Sequence, residues 1–279
     1  MKHLELFSGT HSFGKVSSKM GFEVYSLDRD LGAECPLKSG YKSKNHFKED
    51  IMTWNYKQFP KGYFDIITAS PVCLWWSNLR NTWIGRKMKS HGNTIITREI
   101  IQEDIELYGI PMIDKVFEII DYFKPQHYII ENPATGKMRF YINDLIPFYD
   151  VDYCKYSDFG YKKTTRFWTN IEGFKPKICK NDCENMITIK TQPGDKHIGN
   201  KKLIKGKTRR LHLSQIGEKS KKESIQKAIK KNEYKLHKVC MGSWGKKGTE
   251  QTGIGCGDNR LERYRIPEKL IKELFNKII

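Results

Sequence analysis

No run of about 20 consecutive apolar residues occurs in this sequence, so no membrane-spanning helix is expected. No hydrophobic stretch follows a basic start at the amino terminus, so no secretory signal is expected. The seven cysteines are odd in number and irregularly spaced, which argues against a disulfide scaffold. They fit a soluble protein in a reducing, intracellular setting. No internal repeat is visible, which removes solenoids and propellers. Acidic residues are short in supply, 32 against 50 Lys and Arg, for a formal net charge of +18. A surplus that large points to a polyanionic partner, of which nucleic acid is the simplest. A merely lysine-rich, solubilising surface is the competing explanation.

What is present describes a folded enzyme-sized chain. The hydrophobic fraction is 38% and the aromatic fraction 12%, values of a packed core rather than a disordered chain. A length of 279 residues suits one α/β domain with a small appendage.

The pattern along the chain alternates strands and helices. Short apolar strands are expected at 3–8, 23–27, 66–69 and 128–130, and two later ones at 151–156 and 166–170. A helix is expected over 12–20, ended by Gly21. From Glu99 to Phe123, Ile105, Val116, Ile119, Ile120 and Phe123 recur at helical spacing around a break at Pro111. The last segment, after Arg265-Ile266-Pro267, is an amphipathic helix with Leu270, Ile271, Leu274, Phe275 and Ile278 on one stripe, and Pro267 suits its first turn. This order predicts a mostly parallel α/β sheet with helices on both faces.

After Asn170 the character changes. The stretch 200–231 is lysine-rich, with only Glu218 and Glu223 opposing the cations. It is expected to grip phosphates, since Lys and Arg position a protein on a nucleic-acid backbone. Three regions follow: a catalytic domain at 1–172, a small basic target-recognition region at 173–258, and a segment at 259–279 whose helix returns to the catalytic domain.

Chemistry concentrates where strands end. Gly9, in the turn Phe7-Ser8-Gly9-Thr10-His11-Ser12, lets backbone approach a ligand. Asp28 closes the second strand, placed to take ribose hydroxyls, and Asp50 with Ile51 can bracket an adenine. Cys73 follows the strand at 66–69 and the turn Ser70-Pro71-Val72. A thiol at such a turn is a usable nucleophile when its thiolate is favoured. A buried structural cysteine is the bland alternative. Glu131, in Glu131-Asn132-Pro133, ends the strand at 128–130 and supplies a carboxyl able to act as an acid.

Leu-Phe-Ser-Gly, then Asp28, then Asp50-Ile51, then Ser-Pro-Val-Cys, then Glu-Asn, then Thr164-Thr165-Arg166-Phe167-Trp168-Thr169-Asn170 resembles the DNA cytosine-5 methyltransferase family, in its short, divergent form from phages and large viruses. The similarity runs from Leu4 to about Asn170 and returns at Arg265-Ile266-Pro267. The resemblance implies a Rossmann-type S-adenosylmethionine-dependent methyltransferase fold. It implies that Phe7, Ser8, Gly9 and Pro71 line the S-adenosylmethionine pocket, with Asp28 on the ribose and Asp50 and Ile51 on the adenine. Cys73 would add to cytosine C6, Glu131 would meet ring N3, Asn132 would brace the Glu131 loop, and Arg166 would hold the base O2. The target base must leave the helical stack for this chemistry. Ser77, Arg80, Arg86, Lys163, Lys207, Arg209 and Arg210 are the candidate DNA contacts, with Trp75 and Trp76 able to fill the gap. The base that removes the C5 proton is not identified.

Departures from the family pattern are local. Val72 and Leu74 stand where the family has Pro and Gln around its nucleophile, His11 and Ser12 replace a glycine pair, and Thr164 replaces the first of two arginines. An RNA substrate, or a catalytically degenerate nucleic-acid-binding protein on the same fold, are the rival readings. An adenine-N6 methyltransferase lacks its Pro-Pro string here. Cys179 and Cys183 form one loose pair that would need His197, His212, Cys240 or Cys256 to complete a zinc site, so no metal is assigned. No obligate protein partner is evident.

Overall fold

Successive residues of a strand point to opposite faces, and the first strand shows what each face meets. In β1 (Lys2–Leu6), Leu4 and Leu6 are fully buried in a core shared with Val116, Ile119 and Phe123. On the other face the His3 ring meets Phe275 edge-on at 5.7 Å. His3 Nδ1 lies 2.7 Å from Ser17 Oγ, and Nε2 lies 2.8 Å from Thr68 Oγ1. Burial lowers the His3 pKa to about 3, so this ring is a neutral core group.

The computed structural model describes residues 1–37, 39–159, 161–190, 197–198, 201–202, 208–212 and 261–279. Its helices are α1 (Ser12–Lys19), α2 (Arg98–Asp104), α3 (Ile110–Phe123), α4 (Arg139–Ile142) and α5 (Glu268–Phe275). The main sheet contains β1, β2 (Glu23–Leu27), β3 (Asn45–Phe47), β4 (Ile66–Ala69), β7 (His127–Pro133), β8 (Phe148–Asp152) and β9 (Thr164–Thr169). A small hairpin, β5 (Lys87–Met88) with β6 (Thr94–Ile95), stands apart from it.

The strand order is β3-β2-β1-β4-β7-β9-β8. Every pairing from β3 to β7 is parallel, and β9 runs antiparallel to β7. The chain winds outward from β1 to β3, then crosses back to place β4 on the other side of β1. The crevice beyond the carboxyl ends of β1 and β4 is therefore the topological switch point, where open α/β sheets bind ligands. Helices cover both faces: α3 packs over Leu4 and Leu6, and α1 and α5 over His3.

The helix expected over 99–123 is interrupted earlier than predicted. A π-turn, Ile105–Gly109, separates α2 from α3. Pro111 lies in the first turn of α3, directly after the π-turn. The strand expected over 151–156 is displaced: β8 ends at Asp152 and Tyr153–Lys155 form a 3₁₀ turn.

The chain divides into two compact units. One comprises Met1–Val151, Thr164–Pro176 and Ile271–Ile279 and carries the parallel sheet. The other comprises Asp152–Lys163 and Lys177–Leu270. In the second, β10 (Met186–Lys190) pairs antiparallel with β13 (Thr208–His212), placing Met186 opposite His212. A shorter pair joins β11 (His197–Ile198) to β12 (Lys201–Lys202).

Candidate active site

The turn after β1 is under conformational load. Phe7, Gly9 and His11 all have positive φ, at 56°, 47° and 52°. Glycine adopts that region readily, whereas Phe and His do so at a cost that surrounding contacts must offset. His11 is held by its side chain: Nε2 lies 2.9 Å from the Gly32 carbonyl and Nδ1 3.7 Å from Glu5 Oε2. Burial disfavours its charged form, but the Glu5 carboxylate, the Gly32 carbonyl and Asp28 outweigh burial and raise its pKa. The other Glu5 oxygen accepts the Phe13 N–H at 3.0 Å, satisfying one open donor at the start of α1. A Cβ at Gly14 would sit 2.5 Å from Glu5 Oε2, so a larger residue there would push this carboxylate aside. Glu5 and His11 are the residues of this turn whose roles the sequence did not disclose.

Asp28, at the end of β2, is first a structural brace. Its carboxylate accepts the N–H groups of Gly9 at 2.8 Å, Asp30 at 2.9 Å and Leu31 at 2.8 Å. A carboxylate has about four acceptor sites, so one remains for a ligand hydroxyl. Asp50 follows β3 and caps its own turn through Met52 N–H at 3.0 Å, with Ile51 buried beneath. Ser8 Oγ is buried without a hydrogen-bond partner. A group that brings polar atoms to this turn would satisfy it, so the residues here fit a nucleoside-bearing ligand such as S-adenosylmethionine.

Across the switch point, β4 leads into Ser70-Pro71-Val72-Cys73. Cys73 is half-buried and not in a disulfide. β4 pairs in register with β7, Ala69 beside Ile130, so the turn after β4 meets Glu131 and Asn132. Asn132 Nδ2 donates to the Pro71 carbonyl at 2.8 Å in a buried bond. This bond ties the Cys73 turn to the Glu131 strand end. Glu131 itself is buried, 8% exposed. The turn is fixed further along, where Lys137 N–H donates to the Trp76 carbonyl at 2.7 Å.

Arg166 is held by an acidic side chain within the fold. The β7–β9 register sets Arg166 opposite Asn132 and Phe167 opposite Glu131. Residues directly opposite share a face, so Arg166 lies on the Asn132 side of the sheet and Glu131 on the other. Its guanidinium grips Asp150 bidentately, at 2.7 Å through both Nε and Nη2, and donates to Asn143 at 2.9 Å. Thr165, opposite Pro133 and so on the Glu131 face, was missed by sequence reasoning; its Oγ1 is buried without a hydrogen-bond partner.

The candidate nucleic-acid contacts separate. Arg80 is 1% exposed, paired with Asp104, and lies over the rings of Trp75 and Trp83. Asp104 also holds His91 at 2.9 Å. Arg86 is exposed next to the β5–β6 hairpin. Ser77 caps the 3₁₀ turn that follows Cys73 by accepting the Leu79 N–H. Lys163 lies over the Tyr153 ring. Arg209 and Arg210 are in β13, whereas Lys207 lies outside the described residues, as does most of the lysine-rich stretch. Val72, Leu74, Leu79 and Tyr108 are exposed beside the Cys73 turn, with Trp75 stacked on Tyr108 at 4.7 Å. No helix among the described residues is long and apolar enough to cross a membrane.

The sheet order, the strained turn after β1 and the strand-end thiol and carboxyl fit a methyltransferase of Rossmann type. No protein-family model matches the chain. It is 40% identical over 190 residues to a probable DNA (cytosine-5)-methyltransferase of Frog virus 3 (isolate Goorha), covering 67% of this chain and 79% of that protein. The chain belongs to the DNA (cytosine-5)-methyltransferase family. Solved structures similar to it include the S. pombe Dnmt2 methyltransferase, at 14% identity and a TM-score of 0.36. The Entamoeba histolytica methyltransferase EhMeth matches at 16% identity and a TM-score of 0.38. The chain spans about half of each, 52% and 55% of their lengths, and the matches cover 65% and 64% of it.

Proposed function

We propose that this protein methylates C5 of cytosine in DNA, with Cys73 as a transient covalent nucleophile on a base turned out of the duplex. The observation that carries the reading is the buried Asn132–Pro71 bond, which couples a thiol turn and a carboxyl-bearing strand end at the switch point. S-adenosylmethionine supplies an electrophilic methyl group when bound. The turn at Phe7, Ser8 and Gly9 would hold it, with Asp28 on the ribose, Asp50 and Ile51 about the adenine, and Pro71 on the inner wall.

The Cys73 thiolate bonds to C6, and the Glu131 carboxyl meets N3, taking up the charge that enters the ring. C5 thereby becomes nucleophilic. After methyl transfer the C5 proton leaves, the ring double bond re-forms and the C6–sulfur bond breaks, returning the thiolate. Asn132 holds the two turns at one spacing throughout. Arg166 would have to exchange Asp150 for a base oxygen to contact the substrate, so we assign it as a positioning residue for the β7–β9 edge.

Exposed Arg86, Lys87 and Lys89 around the β5–β6 hairpin, with the apolar side chains beside Cys73, suit a loop that meets an opened duplex. Ser77, Lys163, Lys207, Arg209 and Arg210 complete the proposed DNA contacts, and the region 173–258 is proposed to select the target. The test is transfer of labelled methyl from S-adenosylmethionine to duplex DNA and to tRNA. Labelling of DNA well above tRNA supports the reading. Labelling of tRNA alone makes the substrate RNA, and labelling of neither makes the protein a binding module on a methyltransferase fold.

A further inference from the structure

Cys154, Cys179, Cys183 and His212 come from distant points of the second unit, yet their ligating atoms all lie within 4.8 Å of one another, and all four residues are buried. Cys154 sits in the 3₁₀ turn after β8, Cys179 and Cys183 lie before β10, and His212 ends β13. We propose that these four residues hold a structural zinc ion.

Distances carry the assignment. A tetrahedral zinc with bonds of about 2.3 Å to sulfur and about 2.0 Å to nitrogen sets S···N edges near about 3.5 Å. His212 Nε2 lies 3.6 Å from Cys179 Sγ and 3.4 Å from Cys183 Sγ. One ring nitrogen thus faces two sulfurs at the edge length a shared ion would impose. The three cysteines are not in disulfides, and pairing any two would strand the third thiol against the imidazole.

The surroundings fit a thiolate-bound cation. Backbone N–H groups of Asp182 and Asn181 point at the Cys179 sulfur and that of Asn185 at the Cys183 sulfur. Asn181 takes a positive φ of 65°, which turns the chain between the two cysteines. Buried Asp152 accepts the Cys179 N–H at 2.7 Å, while Lys162 Nζ donates to the Cys179 carbonyl at 3.1 Å and pairs with Asp152 at 3.2 Å. Asn185 Nδ2 donates to the carbonyls of Cys154 at 3.0 Å and Ser157 at 2.7 Å, holding the Cys154 turn. Such outer partners orient metal ligands. Three thiolates and one zinc leave one net negative charge, and Lys155 and Lys162 stand next to it. Four protein ligands close the coordination shell, so the ion is structural, with no open position for catalysis. It fixes the start of β10 and the end of β13, and the lysine-rich residues from 213 onward follow directly on a ligand.

The sequence showed one loose cysteine pair and four candidates to complete it. His212 joins the site and Cys154 was not among them. Cys240 and Cys256 lie outside the described residues, and of His197 only its place in β11 is described.

The test is elemental analysis of the full chain, produced in zinc-containing medium and purified without chelator. The site predicts close to one zinc per chain, retained in a Cys240→Ser/Cys256→Ser variant and in His212→Cys, and lost in His212→Ala. Wild-type protein refolded with cobalt should show the intense visible bands of a tetrahedral sulfur-rich site, a readout that needs no variant to fold. Overturning results are a cooperatively folded wild-type chain that takes up neither zinc nor cobalt, or metal lost only when Cys240 and Cys256 are replaced. Metal content is read without catalysis, so this outcome is independent of the methyl-transfer experiment.

Discussion

Asn132 connects two chemical groups without itself touching a substrate in the proposed reaction. Its donor holds the Pro71 carbonyl two residues before the nucleophile, and its own residue follows Glu131. Asn132→Ala leaves that carbonyl buried without its bond, a loss of about 1–3 kcal/mol in stability. Misplacing a reacting atom by 1 Å costs about 100-fold in rate. The expected result is a modest fall in melting temperature with a fall of about 100-fold in kcat, read by steady-state methyl transfer and thermal unfolding. His11 gives a pH signature. Its folded-state pKa is raised, so the stability it contributes is whole below the unfolded value of about 6.5 and disappears as pH rises through the folded value. The groups facing it are Glu5, Asp28, Tyr41 and His46, whose own pKa is lowered by burial and by His11. Denaturant unfolding of wild type and His11→Gln should show a gap that is widest in mild acid and narrows in alkali. The positions legible in the sequence were those at or just past a strand's end: Gly9, Asp28, Cys73 and Glu131. The pairing of Arg80 with Asp104 was not legible, because the two are remote in sequence and meet only through the fold. The face that Arg166 occupies was not legible either, because a one-residue choice of register decides it.

At the scale of elements, the π-turn is the feature with a functional address. It brings the Gly109 backbone onto the tryptophans that follow Cys73. A Cβ there would lie 3.0 Å from Trp76 Cζ2, 3.2 Å from its Cε2 and 3.4 Å from Trp75 Cβ. Trp76 is fully buried and cannot swing away. Gly109→Ala should therefore cost about 1–3 kcal/mol as an overpacked contact and push the Cys73 turn out of line. Kinetics should show reduced kcat, because Gly109 packs on the tryptophans that follow Cys73. Hydrophobic periodicity exposed the helix and the proline marked a break near the right place. The turn itself was not readable, since π and α segments share almost the same spacing of apolar side chains.

At the scale of the molecule, the sheet order explains why a chain with few signature residues is still recognisable. Five parallel strands deliver their turns to one edge, and the crossover to β4 opens the crevice between the Gly9 turn and the Cys73 turn. Alternating strands and helices made that unit legible from residue 3 to about 170. The second unit was legible only as charge and one loose cysteine pair, because its thiol and imidazole cluster is assembled from three separate segments. The central claim joins both scales: the Cys73 turn is where this protein bonds to its substrate. The most direct test is duplex DNA in which the cytosines carry fluorine at C5, incubated with the protein and S-adenosylmethionine. Fluorine cannot leave as a proton, so elimination stops with the sulfur still bonded to the ring. The account predicts a protein–DNA adduct that survives denaturation, needs the cofactor, and maps by peptide mass spectrometry to Cys73. An adduct formed equally by Cys73→Ala, or methylation of ordinary cytosine by that variant at the wild-type rate, would contradict it.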